Sequence, residues 1–117
     1  MKQLNAVITG IAASLPDYIL TNEELSTMVD TSDEWIMTRV GIKERRILKG
    51  DEQGISVLGT KAVEELLFKT NTRPEDVDAV VFATSTPDHI FPSAASIVAE
   101  NCGIKNAFCF DMEVACS

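Results

Sequence analysis

Histidine occurs once in the 117 residues, as His89, and the three cysteines, Cys102, Cys109 and Cys116, are too widely spaced for paired Cys-x-x-Cys knuckles. That shortage of ligands argues against a metal site. Long apolar runs are also missing. The longest extends from Ala79 to Ala83, far short of the roughly twenty residues a membrane-crossing helix needs. Basic residues are few: ten Lys and Arg stand against 18 Asp and Glu, for a net charge of -8. A nucleic-acid surface needs clustered cations to neutralise phosphates, so the balance argues against that partner class. There is no internal repeat, low-complexity tract or Gly/Ser/Pro linker, so residues 1–117 read as one piece with no domain boundary inside them.

The start loosely imitates a secretion signal, with Lys2 ahead of a short apolar stretch that ends near Ser14. A strand explains it better: Val7, Ile8, Thr9 and Ile11 are β-branched, and polar Asn5 and Thr9 interrupt the apolar core. With no convincing signal and an odd number of cysteines, the thiols are expected to be free in a reducing compartment, which places the protein in the cytoplasm.

What is present is an ordinary globular composition, 45% apolar and 24% charged. Thr21-Asn22-Glu23-Glu24 has capping-box spacing ahead of Leu25, Met28 and Val29, and Thr31-Ser32-Asp33-Glu34 repeats it ahead of Trp35, Ile36 and Val40. Two short helices are therefore expected in tandem, the second ended by Gly41 in a left-handed conformation. Ile55, Leu58, Ala62, Val63, Leu66 and Leu67 recur at helical spacing and define the strongest amphipathic helix. Residues 78–84 read as a strand buried on both faces, residues 93–102 as a helix closed by Gly103, and residues 107–112 as a further strand. Strand, helix, strand in that order makes a βαβ unit with parallel strands, in an α/β layered fold whose sheet extends beyond these residues. The basic stretch Lys43-Glu44-Arg45-Arg46 with Lys49 reads as a solvated strand or loop, or as a local contact for an anionic ligand.

Position separates the thiols as candidate nucleophiles. Cys102 falls at a helix C-terminus, where the carbonyl charge disfavours a thiolate, and Cys109 lies within an apolar strand. Cys116 follows a strand and a short turn, where the free N–H groups of a following helix would stabilise a thiolate. Spacing alone leaves Cys116 open between a nucleophile and a small buried residue.

The string from Thr31 to Arg45, Thr-Ser-Asp-Glu-Trp-Ile-Met-Thr-Arg-Val-Gly-Ile-Lys-Glu-Arg, resembles the signature near the start of the β-ketoacyl-acyl carrier protein synthase III family of the thiolase superfamily. Phe91-Pro92-Ser93-Ala94-Ala95 and Asp111-Met112-Glu113-Val114-Ala115-Cys116-Ser117 resemble two further motifs of that family, in order and at compatible spacing. The resemblance covers nearly the whole chain, but only the front part of a family member. It implies the N-terminal part of a thiolase-like layered α/β/α fold with a mixed sheet, incomplete in this chain.

The resemblance also implies a chemistry. Cys116 would take an acyl group from an acyl-coenzyme A as a thioester. Malonyl-acyl carrier protein would then lose carbon dioxide and attack that thioester as an enolate, in the initiating condensation of type II fatty acid biosynthesis. The steps need a stabilised thiolate and hydrogen-bond donors aimed at the enolate oxygen. In the family those donors are a His and an Asn from the C-terminal half; nothing here fills their place, and His89 reads as a loop residue. The fragment alone is thus expected to be inactive. By the same resemblance Trp35 would stack on the adenine of coenzyme A, Thr31 and Arg39 would contact it, and Phe91 would line the acyl pocket, commonly that of a second identical subunit. On pattern alone the favoured readings are a core aromatic for Trp35 and a surface charge for Arg39, and for Phe91 the alternative is an ordinary core aromatic. No cofactor beyond the coenzyme A thioester substrate is implied. Glu113, Val114 and Val40 depart from the usual pattern and loosen the acyl preference. The rival readings are a 3-hydroxy-3-methylglutaryl-coenzyme A synthase-like enzyme and a truncated, non-catalytic binding or assembly fragment.

Overall fold

The computed structural model describes residues 5–50 and 54–115. Their contacts gather into two compact units, Leu15–Gln53 and the combination of Met1–Ser14 with Gly54–Ser117. In the first, here the hairpin unit, strand β1 (Tyr18–Thr21) pairs antiparallel with β2 (Glu44–Ile47), Tyr18 opposite Ile47 and Thr21 opposite Glu44. Helices α1 (Asn22–Ser26) and α2 (Asp33–Val40) fill the connection. The Thr21 hydroxyl accepts the Glu24 N–H at 3.1 Å, as its capping box requires. For α2 the cap is Ser32 rather than Thr31, its hydroxyl accepting the Trp35 N–H at 3.1 Å. A cap needs extended backbone, and Ser32 has it at φ -141 and ψ 158. Thr31 therefore lies one position outside the helix. Gly41, at φ 69, closes α2 as expected, its N–H reaching the carbonyls of Ile36 and Met37.

The basic stretch forms β2, and its guanidiniums serve the backbone. Arg45 donates to the Leu20 carbonyl at 3.3 Å, and Arg46 donates to those of Pro16 and Asp17 at 3.2 and 3.3 Å. Only Asn22 and Ile36 are buried among the described residues of this unit.

The second unit is built on helix on sheet. α3 (Ile55–Thr70) ends at Asn71, which takes the left-handed conformation at φ 52. A 3-10 turn at Pro74–Asp76 leads into β3 (Ala79–Ala83), then α4 (Ala94–Asn101), then β4 (Phe108–Met112). β3 and β4 pair in parallel, Ala79 opposite Phe108 and Ala83 opposite Met112, which is the expected βαβ unit. Ala94, Ala95, Val98, Ala99 and Ile104 form the buried core. Gly59 of α3 lets the Phe82 ring and Val98 come close: a Cβ at that position would press on both.

Two further expectations are corrected. Residues 7–11 do not form a strand; Val7, Ile8 and Ile11 are exposed. β-branched composition favours an extended backbone, but a strand exists only where its N–H and C=O groups find a ladder, and none of the described strands pairs there. β3 is not covered on both faces. Val80 and Phe82 lie on the more buried face with Cys109 and Asp111, while Val81, Phe108, Phe110 and Met112 are exposed on the other. An apolar run allows burial on two sides but cannot supply the second layer.

Candidate functional site

In the hairpin unit, the first turn of α2 carries Trp35 and its last turn Arg39, four residues on and hence on the same face. The Arg39 guanidinium carbon sits 5.7 Å from the Trp35 ring centroid, a cation–π pair. Asp30, Thr31, Ser32 and Trp35 line a recess of about 400 Å³. Trp35 is 56% exposed, so it is not a core residue; Ile36 beside it is the buried one. The structure thus brings together Thr31, Trp35 and Arg39. A wide aromatic face and a hydroxyl at one open recess, with a guanidinium beside the ring, suit a flat heteroaromatic ring with attached phosphates.

In the βαβ unit a second recess, of about 560 Å³, lies along β4 and the loops that follow the parallel strands, near the strand ends where ligands of open α/β sheets commonly bind. Phe91 is among its lining residues, with His89, Cys109, Phe110, Asp111 and Glu113. Phe91 is 89% exposed on the loop before α4, so the reading as a core aromatic fails for it as well. His89 is a loop residue, as expected. Cys116 lies outside the described residues. The backbone leads towards it from β4 through Glu113, Val114 and Ala115, and Ala115 has φ 41. Left-handed backbone costs a residue with a Cβ about 1 kcal/mol, so the turn ahead of Cys116 is held under strain.

Asp111 was legible only as part of a motif, yet it organises this end of the unit. Its two carboxylate oxygens accept the N–H groups of Ala94 and Ala95 at 2.7 and 2.8 Å, tying the end of β4 to the first turn of α4. Asp88 treats α3 similarly, accepting the Ser56 N–H at 3.2 and 3.3 Å. A signal existed: neither α3 nor α4 has an acidic residue in its own first turn, so the positive end of each helix had to find its anion elsewhere.

The other two thiols differ in their settings. Burial pushes the Cys102 thiol above its usual range and the charge of Glu64 adds to it, so burial rather than the helix carbonyls is the main cause. Its Sγ lies 3.7 Å from the Thr60 carbonyl. Cys109 is half-buried on the covered face of β4.

No protein-family model matches the chain. It is 57% identical over 116 residues to β-ketoacyl-acyl carrier protein synthase III of Phocaeicola vulgatus, covering 99% of this chain and 35% of the relative. It is 59% identical over 118 residues to the synthase III of Azobacteroides pseudotrichonymphae, covering 100% and 35%. The crystal structure of 3-oxoacyl-acyl carrier protein synthase III from Aquifex aeolicus superposes with a TM-score of 0.85 at 45% identity, over 92% of this chain and 34% of that one. The chain is a homologue of part of synthase III. It spans about a third of the length of the curated synthase III relatives it matches. Its α/β arrangement is that of the corresponding part of the synthase III thiolase-like fold. Among the described residues no helix is long and apolar enough to cross a membrane.

Proposed function

We propose that the protein carrying this chain is an initiating condensing enzyme that primes fatty acid synthesis from an acyl-coenzyme A. The observation that carries the reading is the exposed Trp35 ring over its recess with Arg39 beside it, in a chain homologous to synthase III. Trp35 offers its face to the adenine, Arg39 its charge to a phosphate, and Thr31 a hydroxyl to the same ligand. Cys116 attacks the acyl carbonyl as a thiolate; the C–S bond to coenzyme A breaks, coenzyme A leaves as a thiolate, and an acyl thioester remains on the enzyme. The enolate left when malonyl-acyl carrier protein loses carbon dioxide then attacks that thioester. A new C–C bond forms, Cys116 is released, and 3-oxoacyl-acyl carrier protein is the product. The donors for the enolate oxygen belong to the part of a synthase III that this chain does not span, so residues 1–117 act as one portion of a condensing-enzyme domain.

The exposed β3–β4 face supports the same reading, because Val81, Phe108, Phe110 and Met112 together make an apolar surface of the kind that packing normally covers. In this reading the rest of the enzyme and a second identical subunit cover it, and Phe91 reaches the acyl pocket of that subunit. The reaction takes place in the cytoplasm, where thiols stay reduced.

The test is an intact mass of the naturally expressed protein before and after acetyl-coenzyme A, with Cys116→Ala alongside. One added acetyl group that depends on Cys116 is expected. A protein that takes up an acetyl group equally without Cys116 would sink the assignment of the nucleophile.

A further inference from the structure

The hairpin unit holds its helices together with almost no apolar core, since Asn22 and Ile36 are its only buried described residues. Asn22 is 2% exposed, and its amide nitrogen makes two contacts. It donates to the Asp33 carboxylate at 2.7 Å and to the Ile42 carbonyl at 2.8 Å. Asp33 is the first residue of α2, and Ile42 follows the Gly41 that closes it. One side chain, on α1, thus grips α2 at both ends. We propose that Asn22 is a positioning residue for coenzyme A binding, holding α2 so that Trp35 and Arg39 present one surface to the nucleotide. The inference rests on the function proposed for those two residues.

Three observations favour a positioning role over packing alone. The amide oxygen of Asn22 has no hydrogen-bond partner among the described residues. A buried acceptor without a partner is a cost, so the amide is a poor choice for stability and serves a purpose that needs its two donors. Among the described residues of the unit nothing else buried restrains α2 except Ile36, and one apolar contact can slide where a forked hydrogen bond cannot. Finally, the ligand-facing residues span the helix, Trp35 in its first turn and Arg39 in its last. A tilt or a slide of α2 therefore moves the aromatic face and the charge apart from a ligand that must meet both.

The test compares two acyl donors on the full-length protein: acetyl-coenzyme A, and acetyl-pantetheine, which lacks the nucleotide. Asn22→Ala is expected to raise KM for acetyl-coenzyme A by about tenfold, with kcat and the use of acetyl-pantetheine little changed. Because Asn22 is buried and its removal can prevent folding, exposed Asp33 provides a milder second pair. Asp33→Ala and Asp33→Asn both remove the charge, but only Asn keeps an acceptor oxygen for Asn22. Asp33→Ala is expected to raise KM for acetyl-coenzyme A by about threefold, and Asp33→Asn to recover most of that loss. Equal losses with both donors, or Asp33→Asn as impaired as Asp33→Ala, would overturn the positioning role while leaving the enzyme reading intact. A wild-type protein that uses acetyl-pantetheine as well as acetyl-coenzyme A would instead remove the nucleotide role of Trp35 and Arg39, and the inference with it.

Discussion

The hairpin unit and the βαβ unit start their helices in different ways. α1 and α2 are capped from within: Thr21 and Ser32 supply the hydroxyls, and Glu23, Glu24, Asp33 and Glu34 supply negative charge in the first turns. α3 begins at Gly54, which has no side chain to cap with, and takes Asp88 from the loop after β3. α4 has its own Ser93 hydroxyl but takes its charge from Asp111 on β4. Local capping fixes where a helix begins whatever the rest of the chain does. Remote capping makes the start of the helix depend on the fold, and in return it ties distant segments together. In the βαβ unit that tie falls where the chain leaves β4 for Cys116.

The contrast predicts unequal costs for superficially similar substitutions. Asp111→Ala strands the amides of Ala94 and Ala95, both buried, and is expected to cost about 3 kcal/mol because hydrogen bonds to a charged acceptor are lost together. It should also raise amide exchange at both residues and, on the function proposed for Cys116, slow its acylation, since the strand leading to it loses its anchor. Ser32→Ala removes only a local cap, and the loss is expected to be about 1 kcal/mol, confined to amides in the first turn of α2. Hydrogen exchange followed by mass spectrometry on the intact protein reads both. If Ser32→Ala proves as costly as Asp111→Ala, the distinction between local and remote capping fails.

The same contrast explains what the sequence disclosed. The capping box of α1, the start of α2 to within one residue, Gly41, the helical spacing from Ile55 to Leu67 and the βαβ order were legible because each is written in neighbouring residues. Asp88 and Asp111 were not, because their partners lie 32 and 16 to 17 residues away. Composition misled at residues 7–11 and on β3, where it specified an extended or apolar segment but could not specify a neighbour. For the site, pattern alone could not separate an exposed Trp35 from a core one; the geometry did so by burying Ile36 instead. Asn22 was hidden inside its capping box, where a polar residue in the first helical turn normally faces water.

The smallest expected effect separates the thiols within the βαβ unit. Cys102 follows the last turn of α4, at the end opposite the Asp111 tie. Its raised pKa leaves less thiolate at any given pH than a free thiol, whose usual value is 9.0. The folded state favours the protonated form, so the contribution to stability is fully present below pH 9.0 and is lost as the pH rises through the higher folded value. Iodoacetamide at pH 8, read by peptide mass spectrometry, should therefore modify Cys102 more slowly in folded than in urea-unfolded protein, and if Cys116 is the nucleophile proposed above it is modified first. Glu64→Gln should narrow that gap only in part, because burial is the larger cause and stays in place. If Cys102 reacted as fast folded as unfolded, its inertness would be lost, and with it the argument that position along the βαβ unit selects the nucleophile.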